Sequence, residues 1–119
     1  MPKNKLLFLS VDRTILEVRH RVFREAGYAV TSVIGIEEAI DLLARETFDL
    51  VVIGAGFSRN SKLALAKMAR ACKLRVVLVV GVSADRDIPA DSRVGINDGT
   101  AGILKAVQSL LPRSKAAAG

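Results

Sequence analysis

Short apolar runs alternate with amphipathic segments along the whole chain. The apolar runs predict five strands, at residues 6–9, 28–33, 50–53, 76–80 and 94–96. The amphipathic segments predict four helices, at residues 14–26, 37–45, 61–73 and 100–111. Strands that are apolar on both faces and separated by helices are typical of a parallel sheet covered on both sides. The pattern therefore predicts an α/β fold, a flavodoxin-like doubly wound five-stranded sheet with strand order 2-1-3-4-5.

The first predicted helix shows a stripe of apolar residues that we expect to face the sheet. This inner stripe consists of Ile15, Val18, Val22 and Ala26. Polar residues at intervening positions predict the solvent side, formed by Glu17, His20, Arg21 and Arg24. Gly27 follows directly and is a typical helix stop.

The segment between the fourth and fifth predicted strands, residues 81–93, has no helical pattern. It contains Pro89 among aspartates and serines, which favour turns. We therefore predict that this segment is a loop.

Length and composition favour one soluble domain. The 119 residues predict a domain at 1–112 and a basic flexible tail at 113–119. The single cysteine, Cys72, excludes an intramolecular disulfide and fits a reducing compartment. No apolar run approaches the length of a membrane span, so we expect a cytoplasmic protein with no membrane contact.

The net charge of +6 would attract polyanions. No known DNA-binding motif accompanies this charge, which argues against nucleic acid as a partner. Weak, sequence-indifferent contact with phosphates through the first helix and the tail remains as an alternative.

Three stretches of the chain resemble a known family of signalling domains. They are residues 15–30, residues 35–40 (Gly-Ile-Glu-Glu-Ala-Ile) and residues 48–53 (Phe-Asp-Leu-Val-Val-Ile). In this order and spacing they are similar to the response-regulator receiver domain, over roughly residues 5–111. The resemblance implies a place in two-component or related signal transduction. It also implies a helix between the fourth and fifth strands, which in this chain is shortened or missing.

The resemblance also assigns an active site, and this chain departs from it at every position. Receivers use an aspartate nucleophile after the third strand, two acids that bind Mg²⁺, a hydroxyl residue and a lysine. The matching positions are Gly54 for the nucleophile, Ser10 and Val11 for the acids, Val80 for the hydroxyl and Ile96 for the lysine. Asp12, one place beyond the acid pair, is the one charge left near that crevice. We therefore expect a pseudo-receiver with no phosphoacceptor, no metal and no cofactor.

The turn after the third strand suggests an alternative function. Gly54, Ala55 and Gly56 follow a buried strand and lead towards a helix, and glycines in such a turn let backbone amides approach an anion. Arg59 and Lys62 lie close by in sequence, so Gly56, Arg59 and Lys62 form a candidate anion-binding set. Arg59 stands where a dinucleotide fingerprint needs its third glycine, which argues against a dinucleotide.

The expected activity is binding to a protein partner of a signalling pathway, and not catalysis. The short connection between the fourth and fifth strands is expected to uncover a sheet edge and one side of the last helix. Apolar residues there form a candidate partner or homodimer face, made of Val82, Ile88, Val94 and Ile103.

Overall fold

Five parallel strands form one sheet in the computed structural model, which describes residues 4–81 and 86–111. Their order is β2-β1-β3-β4-β5, which confirms the predicted doubly wound topology. The strands are β1 (Lys5–Leu9), β2 (Ala29–Val33), β3 (Leu50–Ile53), β4 (Arg75–Val80) and β5 (Ser92–Gly95). The predicted tail lies outside the described residues, as does Val82 of the predicted partner face.

Four helices cover the two faces of this sheet. They are α1 (Arg13–Glu25), α2 (Ile36–Arg45), α3 (Arg59–Ala71) and α4 (Gly99–Leu110), the last preceded by a 3-10 turn (Ile96–Asp98). Helices α2 and α3 pack into one apolar core, and α1 and α4 pack into the other. Among the residues that the structure describes, each helix is too short or too polar to cross a membrane.

Alternate residues of β1 supply both cores, because successive side chains of a strand point to opposite faces. Leu7 and Leu9 lie in the core with α2 and α3, whereas Leu6 and Phe8 lie in the core with α1 and α4. The Phe8 ring meets Phe23 of α1 edge to face, with 5.5 Å between ring centroids. The continuous apolar run of β1 is thus explained by burial on both sides.

The connection from β4 to β5 contains no helix in its described part, residue 81 and residues 86–91. Asp91, directly before β5, is hydrogen-bonded to Val76 of β4 in two ways. Its amide donates to the Val76 carbonyl at 2.8 Å, and its carboxylate accepts from the Val76 amide at 2.7 Å. The prediction that the fourth receiver helix is shortened or missing is therefore confirmed.

The predicted exposure of the partner face is wrong. Ile88, Val94 and Ile103 are 0%, 5% and 1% exposed. Ile88 turns into the core with α2 and α3, and the Arg93 guanidinium holds this loop by donating to the carbonyls of Ile88 and Arg86. Val94 and Ile103 join the opposite core. These three side chains are therefore covered within the domain itself and are not available to a partner.

The predicted inner stripe of α1 is also wrong at two positions. Ile15 and Val18 are 40% and 54% exposed, whereas Leu16 and Phe23 pack into the core. Apolar residues lie on two neighbouring lines along the helix, one with Ile15 and Val18 and the other with Leu16 and Phe23. The second line, which includes the large Phe23 side chain, faces the sheet. His20, predicted on the solvent side, is consequently half-buried.

Candidate functional site

The carboxyl ends of the strands meet at one edge of the sheet, where doubly wound folds bind their ligands. Ser10, Gly54 and Gly81 directly follow β1, β3 and β4, and Ile96 directly follows β5. Leu9 pairs with Ile53, and Val80 pairs with Gly95. Because Ile53 pairs with Leu78, β4 and β5 extend two residues beyond the ends of β1 and β3. The residues named from the sequence thus surround one crevice.

The polar groups after β1 are satisfied within their own turn. Ser10 is buried, and its hydroxyl accepts from the Asp12 amide and donates to the Asp12 carbonyl, both at 3.2 Å. The Asp12 carboxylate caps α1 by accepting from the Ile15 amide at 3.0 Å. Within residues 4–81 and 86–111, no cluster of three His, Cys, Asp or Glu side chains could hold a metal ion. Asp12 is therefore placed as a helix cap.

Gly54 is buried against the end of β1. Its amide donates to the Leu9 carbonyl at 2.9 Å. A Cβ atom built on Gly54 would lie 2.6 Å from the same carbonyl oxygen, which is closer than side chains approach backbone oxygens. The backbone of this crevice consequently has no room for a side chain at the position of Gly54.

Gly56 and Val11 close the crevice from opposite sides. Gly56 has a φ of +99°, in the left-handed region that favours glycine. A Cβ atom on Gly56 would lie 2.5 Å from Cγ2 of Val11. The valine side chain therefore lies directly against the glycine backbone, at a position where the sequence resemblance predicted an acid.

The ends of β4 and β5 add apolar side chains to the crevice. Val80 is buried, whereas Ile96 is largely exposed in the 3-10 turn that leads to α4. Asp98 holds that turn by accepting from the Gly95 amide at 3.0 Å. The crevice thus presents methyl groups where an anion site would need donors.

No protein-family model and no curated protein matches the sequence. Solved structures do match. A receiver protein from Sinorhizobium medicae is 22% identical, with a TM-score of 0.81 over 92% of this chain and 94% of that one. A receiver domain from Methylobacillus flagellatus is 20% identical, with a TM-score of 0.75 over 91% of this chain and 98% of that one.

This chain has the receiver fold. A third match is a response regulator from Burkholderia pseudomallei that carries a phosphorylated aspartic acid and a calcium ion. It is 20% identical, with a TM-score of 0.73 over 89% of this chain and 67% of that one. Identities this low establish the fold, and the chemistry has to be argued from the residues of the crevice.

The candidate anion-binding residues lie beside the crevice of this receiver fold, and two of them are already engaged. The Arg59 guanidinium forms an ion pair with Asp87 of the β4–β5 connection. Lys62 is buried in the first turns of α3 and has a partner of its own. Gly56 faces Val11, as described above. An anion at this turn would have to compete with Asp87 for Arg59.

A set of apolar side chains on the surface of this receiver fold was not predicted from the sequence. Ile15 and Val18 of α1 line a small cavity of about 160 Å³ together with Thr100 of α4. The Arg19 guanidinium bridges the same two helices by donating to the Thr100 hydroxyl at 3.1 Å, and burial lowers the pKa of Arg19. We name the exposed apolar residues around the crevice and α1 the apolar rim: Val11, Ile15, Val18 and Ile96.

The rim could have been suspected from the sequence. Apolar residues follow two lines along α1: one contains Ile15 and Val18, and the other contains Leu16 and Phe23. The two lines point in different directions, so only one of them can face the sheet. Val11 and Ile96 lie where the sequence resemblance predicted charged residues, and both are exposed. The sequence does not indicate which of the two lines of α1 packs against the sheet.

Proposed function

We propose that this chain is a pseudo-receiver, a signalling domain that acts by binding a protein partner and not by accepting a phosphoryl group. The observation that carries the proposal is the contact between the Cβ position of Gly54 and the Leu9 carbonyl, at 2.6 Å. This short contact supports the proposal, because the backbone at the end of β1 leaves no space for the side chain of a nucleophile.

The chemistry of the remaining residues supports the same proposal. Transfer of a phosphoryl group to a carboxylate requires that carboxylate, and Mg²⁺ requires oxygen ligands close to it. Here Asp12 caps α1, Ser10 bonds to Asp12, and Val11 packs on Gly56. We therefore propose a binding domain without catalytic activity.

The apolar rim supports the protein partner. Neighbouring exposed apolar residues on a soluble domain mark interaction surfaces. Ile15 and Val18 border the junction of α1 and α4, and Ile96 lies in the turn directly before α4. A partner that buries these side chains would gain about 25 cal/mol for each Å² of apolar surface removed from water. We place the partner on this rim and not on Ile88, Val94 and Ile103, because those three side chains are buried.

Intact-mass spectrometry after incubation with acetyl phosphate and Mg²⁺ tests the proposal. We expect an unchanged mass, while an active receiver domain treated in parallel gains one phosphate. A hydroxylamine-labile phosphate on an aspartate of this chain would refute the proposed mechanism.

A further inference from the structure

A groove separates α1 from β2, which is an edge strand of the sheet. Its volume is about 660 Å³, and its lining includes His20, Arg21 and Arg24 of α1 and Ser32 of β2. A second cavity of about 390 Å³ adjoins it, sharing His20 and Arg24 and extending to Thr31. The volume of the first cavity, taken without the second, is within the range of small-molecule sites, which is roughly 300–1,000 Å³. None of these residues belongs to the crevice or to the apolar rim.

The two arginines of the groove are available to a ligand. Arg21 and Arg24 are exposed, and neither forms an ion pair within residues 4–81 and 86–111. Arg59 differs, because it is already paired with Asp87. Guanidinium groups offer planar pairs of donors that match the oxygens of a phosphate.

A hydrogen bond across the groove adds a fixed polar group. Nδ1 of His20 and the Ser32 hydroxyl oxygen lie 2.7 Å apart, joining α1 to β2. When the Ser32 hydroxyl donates to Nδ1, the proton of the imidazole is on Nε2, which is then a donor for a ligand. His20 is half-buried, so its ring is held by packing as well as by this bond.

The groove also contains groups that limit what the ligand can be. Glu17 and Glu25 line it, one helical turn before and after Arg21. Carboxylates accept hydrogen bonds from hydroxyl groups but repel a long polyanion. Leu16 adds an apolar surface for a carbon skeleton. These features favour a small hydroxylated molecule that bears one compact anionic group.

We propose that the α1–β2 groove binds the phosphate monoester group of a small hydroxylated molecule, such as a sugar phosphate. Arg21 and Arg24 contact the phosphate oxygens, and the His20–Ser32 pair orients the site. The glutamates accept from the hydroxyl groups of the ligand. This site goes beyond the proposed partner binding and does not depend on it.

Titration of the ¹⁵N-labelled protein with ribose 5-phosphate, followed by NMR, tests the site. We expect saturable shifts in the amides of residues 17–25 and 29–33 and in the side-chain Nε–H signals of Arg21 and Arg24. Inorganic phosphate should move the same signals with weaker affinity, and ribose alone should not saturate them. Shifts confined to residues 54–62, or no saturation with ribose 5-phosphate, would refute the site.

Substitutions separate specific binding from the general positive charge. Arg24→Gln and Arg21→Gln should each weaken ribose 5-phosphate binding by about tenfold, the loss of one charge-assisted contact. Arg45→Gln on α2 removes the same charge from another exposed helix and should leave affinity unchanged. An equal loss of affinity in all three variants would show that ribose 5-phosphate binds through non-specific positive charge. A single-stranded oligonucleotide that binds the groove more tightly than the monoester would also overturn the proposal, because it would assign the groove to nucleic acid.

Discussion

Gly54 donates its amide to the Leu9 carbonyl oxygen at 2.9 Å, and the same oxygen lies 2.6 Å from where the Cβ of any other residue would be. The end of β3 is thus drawn against the end of β1. Accommodating a side chain at this point requires the backbone to move. The restriction at Gly54 is therefore set by the main chain of β1 as well as by the identity of the residue.

Substitution of Gly54 tests this contact. We expect Gly54→Ala to lower the free energy of unfolding by about 1–3 kcal/mol, because overpacking a closed site forces backbone shifts. Gly54→Asp should cost at least as much, since it also places a carboxylate beside a carbonyl oxygen. Urea denaturation measures both. Gly81→Ala is the matched control, because the Cβ position there has no neighbour within 4 Å, and it should change stability little. A Gly54→Ala protein as stable as the wild type would contradict the contact.

Asp12 is expected to behave as a helix cap and not as a metal ligand. Asp12→Ala should lower the free energy of unfolding by about 1 kcal/mol, because the Ile15 amide loses its acceptor. Asp12→Ser keeps an acceptor and should retain most of the stability. Thermal denaturation with and without millimolar Mg²⁺ gives the comparison. A rise of several degrees with Mg²⁺ that disappears in Asp12→Ser would show a metal site instead.

Ile103 and Ile15 should differ sharply in their contribution to stability. Ile103 is buried in the core with α1 and α4, so Ile103→Ala should cost about 2–5 kcal/mol. Ile15 lies on the apolar rim, and Ile15→Ala should change stability by no more than about 0.5 kcal/mol. Chemical denaturation of the two variants provides the measurement. Similar costs at both positions would mean that α1 packs through the line first predicted from its sequence.

Acidic substitutions in the apolar rim should abolish partner binding and preserve the fold. We expect the double variant Ile15→Asp and Val18→Asp to lose the partner that the wild-type domain captures, because binding would bury two charges. Circular dichroism checks the fold. Ala64→Asp, an exposed alanine on α3, is the matched control and should keep the partner. Loss of the partner in the control, or its retention in the double variant, would move the interface away from the rim.

The sequence alone determined the architecture. Its apolar runs are long enough to be buried on both faces, which leaves a parallel sheet as the stable arrangement, and the observed strands begin and end within a few residues of the predicted ones. Pro89 and its neighbours likewise predicted that no helix forms in residues 86–91, the part of the segment before β5 that the structure describes. The residues at the five positions matched to receivers could be named without coordinates, because the resemblance places each of them at the end of a strand or within two residues of it.

Tertiary structure decided which side chains remain in water. Ile88 is apolar and lies in a loop, a pattern equally compatible with an exposed face and with the buried position that it takes. On α1, Ile15 and Leu16 are similar in hydrophobicity, and only the fit of Phe23 against Phe8 selects the line that packs inward. The groove between α1 and β2 follows from that choice, since it brings His20 to Ser32. Whether a side chain is buried depends on contacts between segments that are distant in sequence. The periodicity of one segment shows which residues share a face, but it does not show what that face packs against.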